Sequence, residues 1–169
     1  MLPGLYRRLQ ELVAALGARY VLEIGPGNRP LVRGPGVTYL DVSHALLLPL
    51  GGQRVEGDLL AAPFLDGVFD LVIAADVLTH VPPARRAAAI DELRRLAPQL
   101  LLFHPEPGGG ALAPPLGAEE LAALVRARGL EVELWPVHLP GPRGLLRFGI
   151  LLAHARSERA PAGPGGPVA

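Results

Sequence analysis

The stretch Phe69-Asp70-Leu71-Val72-Ile73-Ala74 is almost wholly apolar. A strand with one wet face alternates polar and apolar side chains, whereas a strand covered on both faces need not. The segment therefore predicts a central strand of a sheet that lies between two helical layers. Tyr20-Val21-Leu22-Glu23-Ile24, which runs into Gly25-Pro26-Gly27, and Leu100 to Phe103 have the same character. Val37-Thr38-Tyr39-Leu40, ending on Asp41, predicts a further strand.

Helical patterns fall between these strands. Leu5, Leu9, Leu12, Val13 and Leu16 recur on one helix face, and Gly17 follows as a stop. Pro82-Pro83 opens a second helix, with Ala89, Ile90, Leu93, Leu96 and Ala97 inward and Pro98 past its end. Ala118 to Arg128 predicts a third, with Leu121, Leu124 and Val125 inward and Glu119 and Glu120 at its positive end. Val132 to Val137 and Leu145 to Ala153 predict two final strands, joined by the turn-rich Leu139 to Gly144. No internal repeat is visible. Alternating strands and helices predict an α/β fold: a doubly wound, mostly parallel sheet closing in an antiparallel β-hairpin. The 169 residues suit one domain, residues 1–155, with the Pro/Gly/Ala-rich 156–169 as a disordered tail.

Half of the residues are hydrophobic, yet no uncharged apolar run approaches the ~18 residues of a membrane span. The first residues lead directly into an Arg/Glu-bearing amphipathic segment unlike a signal peptide, so the expected location is cytoplasmic. The absence of cysteine excludes disulfides, thiolate catalysis and Cys-ligated metals. The five histidines are scattered without i, i+3 or i+4 pairing, so no metal site is expected. A formal net charge of zero argues against a large RNA or DNA partner. The paired arginines at 7/8, 85/86 and 94/95 read as solvated helix faces, the last four offset by Asp91 and Glu92.

In an open parallel sheet, ligands bind at the carboxyl ends of the strands, where strand order reverses. Gly25-Pro26-Gly27 permits a tight turn and close ligand approach, with Glu23 just before the strand end; a plain turn would need the same glycines. Asp41 ends the next strand, where a carboxylate suits a ribose diol and equally suits a helix N-cap. The most specific stretch is Gly57-Asp58-Leu59-Leu60-Ala61-Ala62-Pro63-Phe64-Leu65-Asp66-Gly67-Val68-Phe69-Asp70.

Together with Val21 to Gly27, Asp41 and Ala75-Asp76-Val77-Leu78-Thr79-His80-Val81, this stretch resembles the class I S-adenosylmethionine-dependent methyltransferases. The likeness is to the small-molecule branch, in a short variant reading Glu23-Ile24-Gly25-Pro26-Gly27 and then Pro30, and it covers residues 17–135. It implies a Rossmann-like methyltransferase fold, S-adenosylmethionine as cofactor and a small methyl acceptor. By the same resemblance Glu23, Gly25 and Gly27 border the methionine part of the cofactor. Asp41, with Val42 beside it, takes the ribose hydroxyls. Asp58 accepts from the adenine amino group beside the Leu59 backbone, and the Ala74 carbonyl faces the methionine amine.

Two departures accompany the resemblance. Arg29 stands where the family commonly has a third glycine. Residues 28–37, interrupted by Pro30, Gly34, Pro35 and Gly36, leave no room for the helix whose N-terminus usually faces the cofactor carboxylate. Arg29 or Arg33 is the expected substitute for that positive charge.

Methyl transfer needs chiefly an in-line approach, and a base only where the acceptor must lose a proton. Candidates at the strand tips are Asp76, His80, His104 and Glu106, although His80 reads more simply as a structural histidine under its loop. His138 and Arg143 lie on the final hairpin turn, where a solvated surface is the simpler reading. A nicotinamide oxidoreductase would need Gly-x-Gly-x-x-Gly opening a helix, and position 30 is proline. A non-catalytic relative that kept the fold for cofactor or partner binding stands as the alternative. A homodimer, in which a neighbour completes the site, would reconcile the short crossover with catalysis.

Overall fold

A computed structural model describes residues 3–105, 116–141 and 144–155. Helix α1 (Pro3–Ala15) precedes strand β1 (Val21–Ile24) and strand β2 (Val37–Asp41). A one-turn helix α2 (His44–Leu47) leads to β3 (Gln53–Glu56), and β4 spans Leu71–Ala75. Helix α3 (Arg86–Leu96), strand β5 (Gln99–Pro105) and helix α4 (Ala118–Arg126) follow. The hairpin of β6 (Leu130–Gly141) and β7 (Gly144–Ala155) ends the described chain.

The seven strands form one sheet in the order β3-β2-β1-β4-β5-β7-β6. Strands β1 to β5 pair in parallel, whereas β7 runs antiparallel to both β5 and β6. The chain winds outward from β1 through β2 to β3 and then returns to the other side of β1 as β4. The reversal of strand order thus falls between β1 and β4, as the alternation predicts.

Two apolar layers cover the sheet. On one face Leu22, Ile24, Leu40, Val72, Leu100 and Leu102 pack against Ile90 and Leu93 of α3 and Leu121 and Val125 of α4. On the other, Val21, Tyr39, Leu71, Ile73 and Leu101 meet Leu9 and Val13 of α1. No helix connects β1 to β2. Its place in the second layer is taken by Leu31 and Val32, buried from an irregular loop.

Three expectations need correction. Strand β3 escapes the reading, because Gln-Arg-Val-Glu on a sheet edge carries one apolar side chain and no periodic signal. The final hairpin is longer at both ends, with Pro140 and Gly141 in β6 and Gly144 opening β7, because cross-strand pairing continues through the turn-rich stretch. The paired arginines are not all solvated. Arg86 is buried and donates to the Val81 carbonyl at 3.2 Å, and Arg95 is tied into a network described below. Asp91 pairs with Arg128 at 2.9 Å instead of with the neighbouring arginines.

Helix α4 lies directly on β7 at Gly149. A Cβ there would sit 2.2 Å from Cβ of Ala118, an atom fixed to the first turn of the helix. Gly149→Ala is therefore expected to lever the two elements apart and cost about 1–3 kcal/mol, as overpacking does. Urea unfolding of the variant checks this through a lower midpoint at unchanged slope.

Candidate cofactor and active site

Four strand ends meet at one cleft. Ile24 and Gly25 from β1, Asp41 from β2, Gly57 and Asp58 after β3, and Ala75 and Asp76 at the end of β4 line a hollow of about 600 Å³. Val42, Leu46, Leu59 and Leu60 wall one side, and Val77, His80, Val81 and Pro82 the other. This is the crevice at the carboxyl ends of the strands, beside the reversal point, where the doubly wound fold receives its ligands.

The backbone shapes the floor of the cleft. Gly25 has φ of 63°, and a side chain there would run into Cγ2 of Val77 at 2.9 Å. Glycine thus lets the turn after β1 and the segment after β4 approach each other without filling the space between. Asp41 is buried, and its carboxylate spans two loops: Oδ1 accepts from the Ser43 amide at 2.9 Å, and Oδ2 from the Gly27 amide at 3.4 Å. It thereby aligns the glycine turn with the end of β2. The exposed Asp58 caps a single 3₁₀ turn, Leu59–Ala61, by accepting from the Leu60 amide at 2.9 Å.

The wall beyond Asp58 is clamped from behind. The Arg95 guanidinium of α3 donates to Glu92 at 2.7 and 2.8 Å, to Asp66 at 2.7 Å, and to the Phe64 and Ala62 carbonyls at 2.8 and 3.1 Å. Glu92 also accepts from the Ala62 amide at 2.9 Å, and the Arg95 hydrogen bonds hold its carboxyl below the usual range. Such forked, charge-assisted bonds fix geometry. Pro63, in the clamped loop, lies 3.2 Å from where a Cβ on Gly57 would stand. The motif from Gly57 to Asp70 thus works as one unit: it lines the cleft at its start and is pinned to α3 in its middle. At its end Asp70 accepts from the Arg19 and Tyr20 amides at 2.8 and 2.9 Å and fastens the entry of β1 to that of β4.

Six of the eight expected cofactor residues, Gly25, Gly27, Asp41, Val42, Asp58 and Leu59, line the cleft together. Ala74 is buried in the sheet and its neighbour Ala75 is at the wall. Glu23 points away from the cleft. Its buried carboxylate accepts from the Leu31 amide at 2.7 Å and the Val32 amide at 3.2 Å, and so replaces the anchoring that a crossover helix would provide. Burial pushes the Glu23 carboxyl up to about 7, against the opposing pull of those two amides and of Arg33. Neither Arg29 nor Arg33 lines the cleft; Arg33 lies beside Glu23 and borders a separate hollow under α1.

The catalytic candidates divide. Asp76 and His80 both face the cleft. Asp76 adopts φ of 62°, the one positive value at a non-glycine residue among those described, and Thr79 Oγ1 donates to its carboxylate at 3.0 Å. His104 is buried away from the cleft lining, and its Nε2 pairs with the Leu116 carbonyl at the approach to α4. It fastens the end of β5 to the helix that follows. Glu106 and Arg143 lie outside the described residues, and His138 is exposed on β6. Leu46, Val77 and Pro82 are lining residues that the sequence reading missed. Only their position beside the motifs, within six residues of Asp41 or Asp76, could have indicated them. No group of three or more metal-ligating side chains occurs among the described residues.

Comparison with known proteins agrees with this geometry. The family described as "Methyltransferase domain" matches residues 22–99, the segment from β1 to the start of β5 that carries the whole cleft. A protein of Encephalitozoon cuniculi (strain GB-M1) named as a methyltransferase is 38% identical over 81 residues, 45% of this chain and 39% of that protein. The chain thus matches about two-fifths of the length of that curated relative. Among solved structures, an S-adenosylmethionine-dependent methyltransferase from Archaeoglobus fulgidus superposes with a TM-score of 0.74 at 14% identity. That alignment covers 88% of this chain and 92% of the other. The 1,6-didemethyltoxoflavin-N1-methyltransferase of Burkholderia thailandensis, solved with that compound and S-adenosylhomocysteine, gives 0.71 at 20% identity, over 90% of this chain and 78% of its own. Residues 22–99 therefore carry a methyltransferase-domain sequence, and the described chain has the fold of the class I S-adenosylmethionine-dependent methyltransferases.

Proposed function

We propose that this chain, as a single domain over residues 1–155, transfers the methyl group of S-adenosylmethionine to a small-molecule acceptor in the cytoplasm. The observation that carries the reading is the convergence of Gly25, Asp41 and Asp58 from three strand ends on one cleft of about 600 Å³, a volume in the range of small-molecule sites. Residues 22–99, which match the methyltransferase domain, supply all of that lining among the described residues. No helix among the described residues is long and apolar enough to cross a membrane, and the zero formal charge favours a small acceptor over a nucleic acid.

When bound, the cofactor supplies an electrophilic methyl carbon on a sulfonium. In this reading Asp41 accepts from a ribose diol, supported by its position in the cleft and by the Gly27 and Ser43 amides that hold its carboxylate. Asp58, with the Leu59 backbone and the side chains of Val42 and Leu60, forms the wall for the base. Gly25 leaves room for the methionine chain against Val77. His80 and Asp76 stand at the far wall, where an acceptor that must lose a proton would meet them.

Calorimetric titration with S-adenosylmethionine tests the reading. Micromolar binding by the wild type, weakened about tenfold or more in Asp58→Ala, is expected from the loss of one hydrogen bond to a charged acceptor. A folded wild type that binds no S-adenosylmethionine overturns it.

A further inference from the structure

The ionisable side chains that line the cleft are Asp41, Asp58, Asp76 and His80. Three are carboxylates, and no arginine is among the described lining residues. The irregular loop after β1 presents no helix N-terminus either, so the cleft has no fixed positive charge of its own among the described residues. A concave site of this kind concentrates negative potential, which attracts positive ligands, repels negative ones and lends neutral ones no net attraction.

We infer that the cleft discriminates its ligands by charge, holding S-adenosylmethionine in preference to S-adenosylhomocysteine, with Asp76 as the determinant of that preference. The inference rests on the cofactor reading above. S-adenosylmethionine carries a sulfonium, an ammonium and a carboxylate, for a net charge of one. Methyl transfer breaks the carbon–sulfur bond and leaves its electron pair on sulfur, so the product keeps only the ammonium and carboxylate, which cancel. Apart from the departed methyl group, the two compounds present the same groups to the cleft. The site therefore loses its electrostatic hold as the reaction completes, and the product is released by the disappearance of a charge.

Asp76 is singled out among the three carboxylates by its place and its partners. Asp41 is buried and engaged by two amides, and Asp58 caps the turn at the base-binding end. Asp76 is exposed in the cleft at the end of β4, across from Gly25, where the first glycine turn leaves space for the methionine chain. Its backbone N–H donates a hydrogen bond to the Phe103 carbonyl at 2.8 Å, and its φ lies in the left-handed region that few non-glycine residues adopt.

The test compares direct affinities for S-adenosylmethionine and S-adenosylhomocysteine at pH 8 and low ionic strength, in the wild-type protein and in Asp76→Asn. Asparagine tolerates the left-handed region, so the variant keeps its backbone and loses only the charge. The wild type is expected to hold S-adenosylmethionine about five- to tenfold more tightly, with the ratio shrinking as salt is raised. Asp76→Asn is expected to bring the ratio near one. A purely structural role for Asp76 would weaken both ligands together and leave the ratio unchanged. Equal or tighter binding of S-adenosylhomocysteine by the wild type overturns the inference and leaves the cofactor reading intact. Failure to bind either ligand overturns the cofactor reading itself and this inference with it.

Discussion

Asp41→Ala is expected to lower affinity for S-adenosylmethionine by about two orders of magnitude, the largest effect of any single substitution in the cleft. Hydrogen bonds to a charged acceptor contribute about 1.5–3 kcal/mol each, and a ribose diol offers two. Asp41 also organises the site before any ligand arrives, because its two oxygens draw the Gly27 and Ser43 amides toward each other across the cleft floor. Removing the carboxylate leaves both amides without that acceptor and relaxes the glycine turn, which adds to the direct loss. Asp41→Asn separates the two contributions. It retains one acceptor oxygen, and its affinity is expected between those of the wild type and the alanine variant. Calorimetry measures the affinities, and thermal unfolding of the unliganded proteins measures the share due to the floor. An Asp41→Ala protein that binds within threefold of the wild type would exclude this carboxylate from ligand contact.

The second large effect is on stability and runs with pH. Glu23 titrates near 4.5 in a solvated chain and near 7 in the fold, because burial penalises its ionised form more than the Leu31 and Val32 amides favour it. The folded state therefore holds the proton more tightly than the unfolded state does. Its stabilising contribution is complete below pH 4.5 and is lost as pH rises through 7. With about 1.4 kcal/mol per pH unit, the difference amounts to roughly 3 kcal/mol across that window. Urea unfolding at pH 5, 6, 7 and 8 should show this decline in the wild type. Glu23→Gln, which cannot ionise, should flatten it by a similar amount. A wild type and variant with parallel pH profiles would place the Glu23 proton equilibrium outside the folding reaction.

The behaviour of Glu23 also marks where the sequence is legible and where it is not. Strands β1, β2, β4 and β5 are readable because burial on both faces demands continuous apolar runs, and α1, α3 and α4 because burial on one face demands a period. The Asp41 position is readable because it ends a strand at the ligand-binding side, and Asp58 because the Gly57–Asp70 stretch resembles a family motif. Strand β3 is not, since an edge strand borrows its regularity from hydrogen bonds to β2 and leaves no trace in Gln-Arg-Val-Glu. The direction of Glu23 escapes for another reason. Its spacing to Gly25 is that of a cleft residue, but strand alternation turns it to the face that α1 covers, where the irregular loop needs an acceptor for two buried amides. The Arg95 clamp is equally hidden, because its partners at Ala62, Phe64 and Asp66 lie about thirty residues away, and two of them are backbone carbonyls.

The outermost strand carries a consequence for how copies of this chain meet. A free sheet edge is a template on which another chain can continue the hydrogen-bond ladder, and β6 is twelve residues long. Pro136 and Pro140 deprive that edge of two donors, and Glu131 and Glu133 set carboxylates along it. A second copy that tried to extend the sheet would bring these prolines and like charges opposite its own. Crowded solutions of the protein should accordingly resist growth into ordered stacks along this border.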